Sequence, residues 1–176
     1  TVSARKELGG GVLNELSHEL DYLTWIFGRV ACVNAIISKQ SELEIDVEDL
    51  AHITLCIESN FQKSTIVGNL ILDFFRHDVT RKCSVIGENG TLTWDGVAGF
   101  VYWKSKSASL EEKIYDQTHD RDLSYIEQWK NFLHLVDKKD YSQDSVINAN
   151  KTLKLIDVIR QSSAQDGARV FMKDQS

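Results

Sequence analysis

The chain has 176 residues, of which 42% are hydrophobic and 26% charged, and its formal net charge is -6. This length and composition predict one globular domain with its own core and exclude a disordered chain. Because an acidic chain without a Lys/Arg block lacks the surface that attracts phosphate backbones or anionic lipid, we expect no nucleic-acid and no membrane partner. No apolar run approaches the ~20 residues that span a bilayer, which predicts a soluble, cytoplasmic protein.

The first predicted element is a helix over residues 12–27. It follows Gly9, Gly10 and Gly11 and ends before Gly28, and glycine is common where helices stop. Free N–H groups at such a glycine-rich entry favour an anion, and a flexible entry without a ligand is the alternative. Apolar side chains recur along the helix and predict a core-facing side made of Leu13, Leu16, Leu20, Leu23 and Phe27.

The same helix carries a polar side about 150° from the apolar one. Its members at helical spacing are Asn14, His18, Asp21 and Trp25. Asn14 and His18 are neighbours on a helix surface because they are four positions apart. A positioned imidazole is a general acid or base near neutral pH, so His18 is the candidate catalytic residue. On spacing alone, an ordinary solvated polar face is the favoured interpretation.

The segment from residue 29 to about residue 115 has the composition of β-structure. It contains six or seven short runs rich in Val, Ile, Thr and aromatic residues. Ile53, Leu55 and Ile57 alternate with polar or small residues, which predicts a sheet with an apolar face. The connections between runs are short, and parallel pairs need crossovers of a dozen or more residues, so we expect mostly antiparallel neighbours.

Two further helices follow residue 118. Their apolar stripes at helical spacing are Leu123, Ile126, Trp129, Leu133 and Val136 in the first, and Val146, Ala149, Leu153, Ile156 and Ile159 in the second. A helix, a run of strands and two more helices predict an α+β fold. We expect an open, mostly antiparallel (mixed) sheet of about six strands with helices packed on one face.

No spacing in the sequence predicts a metal site or a nucleophile. His18 and Glu19 begin the zinc-helix motif, but Tyr22 stands where its second histidine is required. A hydrolase built on His18 with Glu15 or Glu19 would need a nucleophile or metal that the spacing does not supply. We therefore predict no metal.

The three cysteines, Cys32, Cys56 and Cys83, contain no CxxC pair. Their odd number and wide spacing argue against a disulfide framework or a zinc ribbon. Each lies in a strand-like apolar run, so we expect free thiols that pack as small hydrophobic groups.

The segment GGGVLNELSHELDYLTWIFGRV resembles the start of the C-terminal domain in the Gfo/Idh/MocA family of NAD(P)-dependent oxidoreductases, typified by glucose-fructose oxidoreductase and inositol dehydrogenase. The family pattern is a glycine-rich entry, an Asp, a His four residues later, an Asp three beyond that, and a closing Gly. These places hold Gly9 to Gly11, Asn14, His18, Asp21 and Gly28. CSVIGENGTLTWDG resembles the family's turn between two sheet strands. YIEQWKNFLHLVDKK and INANKTLKLIDVIRQSSAQDGARV resemble its closing helices and final strand.

The resemblance implies that one domain binds the substrate and another binds the cofactor. His18 would act at the substrate hydroxyl while hydride passes to or from nicotinamide, with Asn14 as its catalytic partner. Gly11, Asn14, His18 and Asp21 would bind substrate. NAD or NADP would be bound mainly by an N-terminal Rossmann domain, which we expect to be absent from residues 1–176, as is the family's EKP lysine. Asn14 cannot exchange a proton as Asp can, although it can hold a hydroxyl or orient the imidazole.

We therefore expect one C-terminal substrate-binding and oligomerisation domain of an NAD(P)-dependent dehydrogenase. Its substrate would be a hydroxyl of a sugar, nucleotide-sugar or cyclitol, and the isolated chain would be inactive. The alternative, favoured by Asn14, is a non-catalytic α+β binding or dimerisation module derived from the family. We also expect a homo-oligomer through the uncovered sheet face, because apolar strand residues exceed what one helical layer covers, among them Ile66, Leu70, Leu72, Phe100, Tyr102 and Trp103.

Overall fold

The computed structural model describes residues 1–61, 63–117, 122–139 and 144–173. As far as these ranges are described, the chain forms two compact units. The first is Thr1–Phe75 together with Ser142–Ser176, and the second is Arg76–Tyr141. Each unit contains one four-stranded antiparallel sheet.

The first unit begins with two short 3-10 helices, Val2–Ala4 and Lys6–Leu8, and the glycine-rich loop. Two helices follow, α1 (Val12–Glu15) and α2 (Ser17–Phe27). The continuous helix predicted over residues 12–27 is thus interrupted at Leu16, whose ψ of 24° lies outside the helical range. The predicted apolar side is confirmed, since Leu13 and Leu20 are fully buried and Leu16, Leu23 and Phe27 pack against the same core.

Three long strands and one short one form the sheet of this unit. They are β1 (Gly28–Ser38), β2 (Leu50–Ser59), β3 (Thr65–Asp73) and β8 (Val170–Phe171), in the order β3-β2-β1-β8. Every second residue of β2 is buried, namely Ala51, Ile53, Leu55 and Ile57. This alternation is the predicted one, because successive strand residues point to opposite faces.

The helix α4 (Asp144–Ala164) packs on β1 and completes the core. Leu155, Ile156 and Ile159 are its buried apolar residues. Ser162 Oγ accepts a hydrogen bond from Ala35 N at 2.9 Å and donates to Ala168 O at 2.6 Å. A polar side chain thereby joins the helix end to β1.

The second unit contains the strands β4 (Lys82–Gly87), β5 (Gly90–Asp95), β6 (Phe100–Ser105) and β7 (Glu112–Asp116), in that order, and the helix α3 (Leu123–Lys138). The tight turn between β4 and β5 leads into Gly90, the first residue of β5, whose φ is 154°. No residue of α3 is buried. Of its predicted apolar stripe, Leu123 is half-buried and the other four residues are exposed, namely Ile126, Trp129, Leu133 and Val136. Trp129 and Phe132 stack on each other at a ring separation of 5.4 Å.

The α+β class and the antiparallel pairing are confirmed. The strands are divided between two sheets of four, whereas the sequence analysis expected one sheet of about six. Ile66, Leu70 and Leu72 pack with the buried core, so they do not belong to the uncovered face. Val67 and Ile71, which alternate with them, are exposed instead. None of the described helices combines the length and apolar character that crossing a bilayer requires.

Candidate functional site

A cavity of about 1130 Å³ lies within the first unit. Its walls are the polar side of α2, the start of β1, Asn60 after β2, one side of α4 and the residues after β8. The lining side chains suited to bind or react with a ligand are His18, Asp21, Trp25, Asn60, Lys151 and Thr152. Polar groups thus converge on a concave surface, the usual form of a small-molecule site.

His18 lies on the first turn of α2 and lines this cavity. Its side chain is 53% exposed, and Nε2 lies 3.1 Å from Glu19 Oε1. Glu19 is itself only 8% exposed. The imidazole is therefore accessible from the cavity while one ring nitrogen is held by a largely buried carboxylate.

Asp21 lies one turn further along α2 and also lines the cavity. Its Oδ1 accepts a hydrogen bond from Thr152 Oγ1 at 3.2 Å. Thr152 is a buried residue of α4, so this bond ties the polar side of α2 to the closing helix. His18 and Asp21, three positions apart, are the two sequence-predicted site residues that the cavity brings together.

Asn14 and Gly11 lie outside the cavity lining, in contrast to His18 and Asp21. Asn14 Nδ2 donates to Gly9 O at 2.8 Å and to Gly10 O at 3.3 Å, which ties the side chain to the glycine-rich loop. Asn14 Oδ1 accepts from Arg160 Nη2 at 3.0 Å. These are the hydrogen bonds of the Asn14 side chain in the described structure, and none of them goes to His18.

Gly11 has a φ of 112°, and a Cβ at this position would collide with the Glu48 carboxylate. The backbone conformation requires glycine, whereas the Glu48 carboxylate is the end of a flexible side chain that can shift. Glu48 Oε1 lies 3.9 Å from Arg160 Nη2, the same guanidinium that reaches Asn14. The glycine-rich entry is therefore built around Glu48, Arg160 and Asn14.

Several cavity residues were missed by the sequence analysis. Arg29 at the start of β1 donates from Nε and Nη2 to the two carboxylate oxygens of Glu58, each at 2.9 Å. Asn60 closes the end of α2, because its backbone N donates to Phe27 O at 2.9 Å. Lys151 Nζ donates to Asn148 Oδ1 at 3.2 Å. None of these residues has a local motif, so only the folded arrangement identifies them.

The described residues contain no group of three or more His, Cys, Asp and Glu side chains that could hold a metal ion. Every described strand pair is antiparallel, whereas the Rossmann dinucleotide site is built at the ends of parallel strands with a GxGxxG turn. The described residues therefore do not form a Rossmann site.

A family model described as the GFO/IDH/MocA C-terminal domain matches residues 2–93. This span is just over half of the 176 residues. It contains α1, α2, the strands β1 to β4 and the first part of β5. The chain belongs to this family. The resemblance carried by Gly9 to Gly28 is confirmed, and its polar helix side is the cavity wall of a GFO/IDH/MocA C-terminal domain.

Solved structures share this C-terminal domain fold. Levoglucosan dehydrogenase in complex with NADH has a TM-score of 0.78 at 14% identity, over 94% of this chain and 51% of that chain. GenD2 from gentamicin A biosynthesis, in complex with NAD, has a TM-score of 0.72 at 21% identity, over 98% and 51%. The WlbA dehydrogenase from Bordetella pertussis, in complex with NADH and UDP-GlcNAcA, has a TM-score of 0.64 at 21% identity, over 94% and 47%.

The chain thus spans about half the length of the solved structures that it matches. At these identities the likeness is one of fold. A comparison with curated protein sequences gives no match.

Proposed function

We propose that the chain is the C-terminal substrate-binding domain of a cytoplasmic NAD(P)-dependent oxidoreductase. Its substrate is a hydroxyl group of a sugar, nucleotide-sugar or cyclitol. The observation that carries this proposal is the convergence of His18 and Asp21 on one cavity in a chain of the GFO/IDH/MocA family. Levoglucosan and a nucleotide-sugar acid are named with two of the similar structures, which supports the sugar class.

His18 is the proposed acid/base residue. Oxidation of a hydroxyl requires a group that accepts its proton, and imidazole does so near neutral pH. The side chain lines the cavity, and the Glu19 carboxylate 3.1 Å from Nε2 fixes the orientation of the ring.

Asp21 is proposed to bind substrate hydroxyls. Thr152 Oγ1 uses one side of its carboxylate, which fixes the orientation of the side chain. The remaining lone pairs of the carboxylate accept hydrogen bonds from hydroxyl donors in the cavity. Lys151 and Asn60 on the same walls supply donors for hydroxyl or carboxylate oxygens of the substrate.

The nicotinamide cofactor is proposed to be held by a Rossmann domain outside residues 1–176, because the described antiparallel sheets do not form a Rossmann site. When bound, that group supplies or accepts the hydride. This chain contributes the substrate pocket and a proton-transfer group.

We expect the isolated chain to bind neither NADH nor NADPH in calorimetric titration. Micromolar binding would contradict the proposal that another domain holds the cofactor.

The geometry around Asn14 favours one second candidate, a non-catalytic module derived from the family. The Asn14 amide is used by Gly9 O, Gly10 O and the Arg160 guanidinium. These bonds support a structural role for Asn14 in the glycine-rich loop. Its role in catalysis and substrate binding stays a prediction for the full-length enzyme.

The test is a turnover assay on the full-length protein. Sugars, sugar acids, nucleotide-sugars and cyclitols are each offered with NAD⁺ and with NADP⁺, and reduced nicotinamide is followed by its absorbance. We expect at least one polyhydroxylated substrate to be oxidised. A protein that binds such ligands without any turnover would support the non-catalytic module.

A further inference from the structure

The walls of the cavity carry more positive than negative charge, although the chain as a whole is acidic. Over the full sequence, 26 Asp and Glu residues outnumber 20 Lys and Arg residues. Three cationic side chains, Arg29, Lys151 and Lys173, line the cavity, and among the described residues Asp21 is its one lining carboxylate. A concave surface with an excess of one charge attracts a ligand of the opposite charge.

The three cations differ in whether a carboxylate already neutralises them. The Arg29 guanidinium donates from Nε and Nη2 to the two oxygens of Glu58, so its charge is paired. The ion pairs formed within the described part of the chain do not include Lys151 or Lys173. The charge excess of the cavity therefore comes from two ammonium groups.

Lys151 is held at the cavity wall by a neutral partner. It lies on α4 beside Thr152, the residue whose hydroxyl donates to Asp21. Lys151 Nζ donates to Asn148 Oδ1 at 3.2 Å, and Asn148 lines the same cavity. An ammonium group has three N–H donors and this amide oxygen takes one of them, which leaves the others for a ligand. The amide orients the ammonium group without neutralising its charge.

The cavity lies on the side of the sheet that carries the helices, since α2 and α4 both form its walls. The exposed apolar residues of the open sheet face, Ile36, Val67 and Ile71, do not belong to it. A homo-oligomer formed through that open face therefore leaves the cavity accessible to a ligand.

We propose that the substrate of this cavity carries an anionic group, a carboxylate or a phosphate, which Lys151 recognises with Lys173 as the second cation. This inference rests on the proposed function, because it specifies that the polyhydroxylated substrate is an acid. The anionic group binds at the Lys151 ammonium, and a hydroxyl of the same molecule reaches His18, which lines the same cavity. Hydrogen bonds between two charged groups are stronger than those between neutral ones, so Lys151 determines specificity.

The experiment is a calorimetric titration of the full-length protein with matched neutral and acidic ligands. Glucose, glucuronate and glucose 6-phosphate form one set, and galactose and galacturonate form another. NADH or NADPH is present throughout, so that the ligand is not oxidised during the titration. We expect an acidic ligand to bind at least about 10-fold more tightly than its neutral counterpart. Whether glucuronate or glucose 6-phosphate shows the gain distinguishes a carboxylate from a phosphate.

Variants of α4 assign this preference to one side chain. Lys151→Gln should weaken binding of the acidic ligand by about 10-fold or more and leave binding of the neutral ligand unchanged. Lys151→Arg, which keeps the charge, should restore most of the affinity. Lys154→Gln is the matched control, because Lys154 is an exposed lysine of the same helix outside the cavity walls. It should bind both ligands as the wild type does. Circular dichroism checks the fold of each variant.

Failure of this inference is distinguishable from failure of the proposed function. Equal binding of acidic and neutral ligands, or no binding of any acidic ligand, would overturn the inference. So would an acidic preference that both Lys151→Gln and Lys173→Gln retain. Oxidation of a neutral sugar at the same rate by the wild type and Lys151→Gln would overturn it while upholding the oxidoreductase. An acidic ligand that binds through Lys151 and is not oxidised with NAD⁺ or NADP⁺ would uphold the anionic site and refute the oxidoreductase.

Discussion

Asp49 is a fully buried carboxylate that organises the connection between β1 and β2. Its Oδ1 accepts from Gln40 N at 2.7 Å and its Oδ2 from Ser41 N at 2.9 Å. Burial acts to raise its pKa, but the hydrogen bonds from Ser41 and Gln40 outweigh this and hold the pKa below its usual value. The ionised form is therefore part of the folded structure.

Replacing this carboxylate should destabilise the protein in a pH-dependent way. We expect Asp49→Ala to lower the free energy of unfolding by about 1 to 3 kcal/mol at neutral pH, because buried donors lose a charged partner. A lowered folded pKa means that this contribution is complete above the ordinary aspartate pKa of about 3.9 and is lost as pH falls through the folded value. Denaturant unfolding of both proteins across this range measures it.

Asp137, an exposed residue of α3, is the matched control. Asp137→Ala should change the free energy of unfolding by less than about 0.5 kcal/mol. The assigned role of Asp49 would be contradicted if the two substitutions lowered the free energy of unfolding equally. It would also be contradicted if the stability difference between the wild-type and Asp49→Ala proteins did not become smaller in acid.

The residues of the candidate site differ in how far the sequence could identify them. His18 and Asp21 belong to one local motif, and a helical period of 3.6 residues places them on one side. The partner of Asn14, Arg160, lies 146 positions away along the chain, and no local pattern connects them. Thr152 could not be identified from the sequence either, because nothing around a threonine in a helix indicates that it binds a distant carboxylate, here that of Asp21.

The same contrast holds for the elements. The apolar side of α2 was predicted correctly, since Leu20 is buried in the core and Leu23 and Phe27 pack against it. The stripe predicted for α4 is partly wrong, because Val146 and Leu153 are exposed. Its buried side includes Thr152 and Ser162, whose hydroxyls are satisfied by hydrogen bonds that only the fold reveals.

Gly28 joins α2 to β1 and cannot be replaced without strain. Its φ is 126°, and a Cβ there would collide with the backbone carbonyl of Glu58. We expect Gly28→Ala to lower the free energy of unfolding by at least about 2 kcal/mol, from the backbone conformation and the collision together. Thermal or denaturant unfolding measures the change.

Gly68 on β3 is the matched control, because a Cβ there meets nothing within 4 Å. Gly68→Ala should be neutral or stabilise the fold by up to about 1 kcal/mol, since alanine restricts the unfolded chain. A Gly28→Ala protein as stable as the Gly68→Ala protein would refute the geometry assigned to this junction.

At the scale of the whole molecule, burial is unevenly distributed. Every buried apolar residue of the described chain belongs to the first unit. The open face of its sheet leaves Ile36, Val67, Ile71 and Phe171 exposed. Such a patch on one sheet face is typical of a surface covered by a partner.

We propose that this open face joins two copies of the protein. Light scattering of the full-length protein should show at least a dimer at micromolar concentration. Val67→Lys should lower the measured molar mass toward that of the monomer, because a charge would be buried in the interface. Val146→Lys, an exposed position of α4 rather than of this face, should leave the mass unchanged. A wild-type monomer at high concentration would refute the proposal.

The central proposal is proton transfer by His18 in the cavity, and the turnover of full-length His18→Ala tests it most directly. Removing a general acid/base group lowers turnover by about 10²- to 10⁴-fold. Stability should change by less than about 0.5 kcal/mol, because the side chain is 53% exposed. His134→Ala, an exposed histidine of α3, should retain full activity. A folded His18→Ala protein with wild-type turnover would contradict the proposed mechanism.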